Sequence, residues 1–197
     1  MRDSGGQVEA STQVASTRRA STQETERYMV NIAGCGFDSE VNEAANAMRV
    51  RLGATGTYVV AVVKTLARFR PATFTVTVDD EVIRGPHMLV VVGNSTRYGG
   101  GMKVTPDASL VDGELDVCLL RALSTGAFLR AFPSVFRGAH VEHPAVRMLR
   151  GRRIAIEADR RVLVYADGER VGPAPVTIEV VPEALSVVVG PNPPAIR

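Results

Sequence analysis

Between Val90 and Val117 the chain reads VVVGNSTRYGGGMKVTPDASLVDGELDV. A bare apolar run breaks into a loop with three consecutive glycines, passes Pro106 and reaches an Asp-Gly turn before another strand. One glycine is tolerated within an alternating strand. Gly99, Gly100 and Gly101 together predict a backbone that bends sharply or lets another group approach closely.

The flanking segments read mostly as strands. YMVNIAGCGF alternates loosely and ends at Gly34-x-Gly36, where a dinucleotide fingerprint would need a third glycine and has Ser39 instead. Asp38 or Ser39 is placed to cap a helix carrying Val41, Ala44, Ala45 and Met48 on one face, with Gly53 closing it. Thr55 opens a second helix, with Tyr58, Val62, Leu66 and Phe69 in register, and Pro71 stops it. TFTVTVDDEVIR predicts a hairpin about Asp79-Asp80, with His87 in the loop that follows. Ser124 starts a third helical pattern (Phe128, Leu129, Phe132, Val135, Phe136), which Pro133 must kink or break. RRIAIEA, RVLVYAD, PVTIEVV and LSVVVG are strands between short polar turns. Strands in hairpin-like succession with few helices predict a mainly β chain, an antiparallel β-sandwich with two or three helices packed at one side.

Composition bounds the rest. Residues 1–27 are Ser, Thr, Gln, Arg and Ala with few large apolar side chains, so a disordered tail or leader is expected there. The ordered domain is expected over 28–191, with a loose terminus at 192–197. A net charge of +2 gives no footprint for nucleic acid. Cys35 and Cys118 lack metal-type spacing and read as small buried hydrophobes in a reducing compartment. No apolar run reaches the roughly 20 residues that span a bilayer. The expected location is cytoplasmic, with peripheral contact at the inner face of the membrane.

Asp-Gly-Glu occurs twice, at residues 112–114 and 167–169. Each is first of all a hairpin turn, because glycine takes positive φ easily. At the first, the Asp112 carboxylate with the carbonyls of Ser109 and Glu114 offers a hard cation three oxygens, and magnesium suits one carboxylate plus waters. At the second, the apolar strand Val162–Tyr165 delivers Asp167 and Glu169 to a strand end. A carboxylate partly desolvated there would serve as a general base. The trio His140, Glu142 and His143 has ligand chemistry but lies in an expected loop.

The segments AGCGFDSEVN, GNSTRYGGG, PDASLVDGELDV, FRGAHVE and YADGE together resemble the carboxy-terminal domain of bacterial diacylglycerol kinases, particularly actinobacterial ones. Sphingosine kinases are wider relatives of that group and NAD kinases share its superfold. The resemblance covers about Asn31 to Pro191. It implies that Glu169 accepts the proton of the lipid hydroxyl and that Asp112, with Ser109 and Glu114, holds Mg²⁺. It also implies that Asn94, Gly99, Gly100 and Gly101 line the cleft between two domains. Family members carry an amino-terminal domain whose Gly-Gly-Asp-Gly-Thr loop binds ATP, and these 197 residues contain no such loop. The expectation is therefore the lipid-side half of an ATP-dependent lipid kinase, inactive alone. Its partners would be a diacylglycerol-like lipid, an ATP-binding kinase domain and, transiently, a membrane surface. The alternative is a non-catalytic module that binds lipid or a partner protein.

Overall fold

The computed structural model describes residues 8–19, 26–48 and 53–189. Strands β1 (Val8–Arg19), β2 (Glu26–Met29) and β3 (Ile32–Gly36) precede helices α1 (Phe37–Ala47) and α2 (Gly53–Leu66). Strands β4 (Ala72–Val78) and β5 (Glu81–Gly93) form a hairpin; the glycine loop then leads to β6 (Leu115–Arg121). Helix α3 (Thr125–Ala131) and two 3-10 segments, Phe132–Arg137 and Ala139–Glu142, follow. The remaining strands are β7 (Val146–Gly151), β8 (Arg153–Ala158), β9 (Leu163–Ala166), β10 (Glu169–Pro173) and β11 (Val176–Val189).

All pairings are antiparallel, in the order β10-β9-β3-β5-β4-β8-β11-β1-β2, with β6 joining β5 to β7. This is the expected mainly β sandwich, nearly closed on itself. Strand β5 holds it together. Its first half pairs with β4; after a register shift between His87 and Leu89, its second half runs between β3 and β6. The apolar run beginning at Val90 is bare because both of its faces are covered: Val90 and Val92 pack in the sandwich interior, and Val91 packs on the other face with Ile32, Met102 and Cys118.

The sandwich interior is filled by Phe74, Val76, Leu115, Leu119, Ile154, Ile156 and Ile178, all essentially inaccessible. Burial of each is worth about 1.5–3 kcal/mol relative to exposure. In β4, Ala72, Phe74, Val76 and Val78 face inward and the intervening threonines are half-buried, the period of two that the sequence displays. A second core lies under the helices, where Phe37 meets Phe128 and Phe69 edge-on at ring distances of 5.0 and 5.3 Å.

Several boundaries differ from expectation. Residues 8–19 form a strand paired with β11 on one side and β2 on the other. Thr12, Gln13, Ser16 and Thr17 are buried with Val14 and Ala15. Backbone pairing and side-chain hydrogen bonds stabilise a segment whose composition lacks large apolar groups. The remainder of the expected leader and terminus, residues 1–7, 20–25 and 190–197, lies outside the described residues. Helix α1 starts early, before either expected cap: Gly36, at φ 92°, is the residue before it, and Ser39 donates its hydroxyl to the Gly36 carbonyl. Gly53 opens α2 and does not close α1. His87 is a buried member of β5, its Nδ1 against the Gly85 carbonyl at 2.9 Å. Ser124 caps α3 through Ala127 N–H, and Pro133 converts the chain from α to 3-10 geometry, both as the spacing predicts.

Candidate functional site

Two cavities meet at Asp38 and Tyr98. One is apolar and lies beneath α3 and the 3-10 segments; Phe37, Met102, Leu120, Phe128, Phe132 and Val135 are among the side chains lining it. The other is a polar cleft bounded by Asn31, Gly34, Asn42, Gly99, Tyr165 and the turn Asp167-Gly168. Asp38 and Tyr98 belong to both walls. The Asp38 carboxyl, 7% exposed, is pushed up to about 6 by burial, against the opposing effect of the Tyr98 hydroxyl that donates to it. Gly34 leaves the space it needs: a Cβ there would stand 3.1 Å from Asp38 Oδ2. Across the cleft the Tyr165 hydroxyl donates to Glu43, and its pKa is pushed up to about 12, chiefly by burial.

The two carboxylates of the β9–β10 turn have separate tasks. Asp167, at φ 48°, turns back onto β3. It accepts hydrogen bonds from the backbone N–H groups of Val30 (2.7 Å), Asn31 (3.0 Å) and Ile32 (2.9 Å). Its role is to anchor the turn. Glu169 opens β10 next to Gly168, which lines the polar cleft, and is exposed; it pairs across the turn with Ala166. The partial desolvation expected at this strand end is therefore not supplied by these residues.

Asn94 is buried completely, and its amide is spent inside the fold: Nδ2 donates to the carbonyls of Val30 (2.8 Å) and Gln13 (3.1 Å), and Oδ1 accepts from Gln13. It lines neither the apolar cavity nor the polar cleft. Gly99, Gly100 and Gly101 all have positive φ and are exposed, and only Gly99 lines the polar cleft. The bend explains Gly100 and Gly101, since nothing lies within 4 Å of a Cβ there, whereas at Gly99 a Cβ would also stand 2.7 Å from Met102 Cε.

The cation site expected at Ser109, Asp112 and Glu114 is filled by protein. The carbonyls of Ser109 and Glu114 both accept from Gln13 Nε2, at 3.0 and 2.8 Å. Asp112 pairs with Arg150, which also reaches Glu114 (3.2 Å) and Asp116 (3.6 Å). With its two carbonyls and its carboxylate engaged by nitrogen donors, this set does not fit a magnesium ion. Asp116, 3% exposed, is pushed up to about 6 by burial, with Arg150 opposing.

His140 packs in the interior with Nε2 against the Val104 carbonyl at 3.0 Å, and burial lowers its pKa. Among the described residues no three His, Cys, Asp or Glu side chains are placed to hold a metal ion. Cys35 and Cys118 are buried free thiols whose pKa values burial raises. Gln13 and Asp38 are the site residues that sequence spacing did not single out for chemistry. Asp38 sits inside AGCGFDSEVN, but a carboxylate at a helix start reads first as a cap.

A family model described as the YegS C-terminal NAD kinase beta sandwich-like domain matches residues 31–189. A diacylglycerol kinase of Mycobacterium tuberculosis (strain H37Rv) is 39% identical over 163 residues, 82% of this chain and 52% of that protein. A diacylglycerol kinase of Bacillus subtilis (strain 168) is 27% identical over 150 residues, 76% of this chain and 49% of its own length. The chain thus spans about half the length of the curated relatives it matches. A crystal structure of a diacylglycerol kinase from Bacillus anthracis superposes with a TM-score of 0.62 at 17% identity, covering 93% of this chain and 55% of that one. At that identity the likeness concerns the fold. No helix among the described residues is long and apolar enough to cross a membrane.

Proposed function

The chain belongs to the YegS C-terminal NAD kinase beta sandwich-like domain family, and on that premise we propose that it is the lipid-side half of an ATP-dependent lipid kinase. The observation that carries this reading is that the two cavities adjoin. An amphiphile with one hydroxyl matches an apolar cavity set against a polar cleft, the two sharing Asp38 and Tyr98 in their linings, with the exposed carboxylate of Glu169 next to the cleft residue Gly168. Acyl chains would lie along Phe128, Phe132 and Val135, with the glycerol hydroxyl in the cleft. Glu169 would take the proton from that hydroxyl as its oxygen attacks the γ-phosphorus of ATP, the bond to the β,γ-bridging oxygen breaking to release ADP. A positioned base of this kind contributes about 10²–10⁴-fold in rate.

Phosphoryl transfer also needs the phosphates held and their charge neutralised. We assign ATP and its accompanying Mg²⁺ to an ATP-binding kinase domain, and closure of that domain over the cleft would desolvate Glu169. Leu129 and Phe136 are exposed apolar side chains on the segment that roofs the apolar cavity, suited to transient contact with a cytoplasmic membrane surface.

The test is reconstitution. The 197-residue chain is mixed with the separately expressed ATP-binding domain of the 39%-identical relative, ATP, Mg²⁺ and diacylglycerol in mixed micelles, and phosphatidate is measured. Phosphatidate should form in the mixture, be absent with the chain alone, and fall at least roughly 100-fold with Glu169→Gln. Equal turnover by Glu169→Gln, or turnover by the chain alone, would refute the assignment.

A further inference from the structure

Every polar atom of Gln13 is bonded to the 109–114 loop or to Asn94. A bulge between Thr12 and Val14 releases Gln13 from the β11 ladder. Its backbone N–H can therefore donate to the Leu110 carbonyl at 2.8 Å, while its carbonyl accepts from Asn94 Nδ2. The side chain continues the pattern. Oε1 accepts from the Gly113 N–H at 2.6 Å, and Nε2 faces three oxygens: Asn94 Oδ1 (2.8 Å), the Glu114 carbonyl (2.8 Å) and the Ser109 carbonyl (3.0 Å).

The orientation of both amides follows from their partners. The Gly113 N–H can only donate and the Ser109 and Glu114 carbonyls can only accept, so a flipped Gln13 would lose all three bonds. Asn94 is pinned the same way, because Nδ2 meets two carbonyls. Three oxygens converging on one point repel one another unless something positive stands there. Here that is an amide nitrogen with two hydrogens. Arg150 does the same for the carboxylates of Asp112 and Glu114 on the same loop, and reaches Asp116 of the following strand.

We propose that in this chain Gln13 Nε2, supported by Arg150, takes the place of a divalent cation, so that the 109–114 loop is ordered without metal. The partial positive charge of one amide is smaller than that of an ion, but it arrives preorganised on a paired strand. It also carries no competing hydration shell. The inference concerns the loop alone and does not depend on the lipid-kinase reading.

Thermal unfolding of the full chain tests it, in EDTA and in 10 mM MgCl₂ or MnCl₂ at matched ionic strength, for the wild type and Gln13→Glu. The substitution is nearly isosteric and keeps an acceptor for Gly113, but sets an oxygen where Nε2 donates. The wild-type Tm should not differ between EDTA and metal. Gln13→Glu should unfold roughly 5–10 °C lower in EDTA and recover part of that loss with Mg²⁺ or Mn²⁺. A wild-type Tm raised by more than about 2 °C on adding either metal, and not in an Asp112→Asn variant, would overturn the proposal, as would a Gln13→Glu chain as stable as wild type in EDTA. Should Gln13→Glu fail to fold in both conditions, Mn²⁺ binding to the wild type, read from the free-ion EPR signal, decides: Asp112-dependent binding below about 1 mM overturns the proposal, and none supports it.

Discussion

The hydroxyl of Tyr98 donates a 3.0 Å hydrogen bond to Oδ1 of Asp38, on the wall that the apolar cavity shares with the polar cleft. Burial nevertheless dominates, and the Asp38 carboxyl is held near 6 against 3.8 for an ordinary aspartate. The folded state therefore binds this proton more tightly than the unfolded chain does. Its stabilising contribution is complete below about pH 4 and is lost as pH rises through 6. Asp116, shifted upward to the same region, acts in the same direction. Asp38→Asn should remove its share, making the unfolding free energy flatter than wild type between pH 4 and 7 by about 2–3 kcal/mol at most. Urea denaturation of both proteins at half-unit pH steps measures the difference, and parallel profiles would refute the assignment.

Asp167 gathers three backbone N–H groups of the β2–β3 connection. Asp167→Ala removes the acceptor for all three and also places alanine at φ 48°, where aspartate and asparagine are better tolerated. The expected loss is about 1–3 kcal/mol, kept modest because much of this network is exposed to water. Asp167→Asn retains one acceptor oxygen and the backbone preference, so it should lose less. Chemical denaturation of the pair decides, and an alanine variant as stable as wild type would remove the anchoring role.

Two glycines with similar positive φ should behave differently. Gly36 has φ 92°, and a Cβ there would sit 2.4 Å from the Met88 carbonyl oxygen of the neighbouring strand. Gly100 has φ 78° and open space around it. Gly100→Ala should therefore show only the conformational penalty, about 1 kcal/mol. Gly36→Ala adds a clash with backbone that β3–β5 pairing holds in place, and should lose upward of about 2–3 kcal/mol. Equal effects in a guanidinium titration would contradict the close approach.

The sequence shows some of these features plainly and others not at all, and range of interaction separates them. The Asp79-Asp80 hairpin is local: two residues join Val78 to Glu81 between alternating strands, so pattern and turn chemistry agree. The Ser124 cap and the break at Pro133 are local too. Strand β1 is invisible because its stability comes from far away. The partners of Gln13 lie 81 to 101 residues along the chain, and a lone glutamine among serines and threonines gives no sign of them. Helix α1 begins at a glycine because a tight crossing over Met88 overrides the local preference for Asp38 or Ser39 as cap. The YADGE segment presents two carboxylates, and only the fold shows that Asp167 is bound by backbone N–H groups while Glu169 is exposed.

Ala131 tests whether the apolar cavity holds acyl chains. It lies on the cavity wall near Phe128 and Phe132, is only half-buried, and ends α3. A tryptophan there can extend into the cavity without displacing a packed core side chain, so Ala131→Trp should narrow the space and leave stability within about 1 kcal/mol. Arg130→Trp, exposed and off the cavity wall, is the control for an added indole on the same turn. With a fluorescent diacylglycerol analogue in detergent micelles, Ala131→Trp should bind at least about 10-fold more weakly than wild type, and Arg130→Trp should match wild type. If both variants bind as the wild type does, the acyl chains lie elsewhere; in that case the junction at Asp38 and Tyr98 no longer supports a lipid substrate.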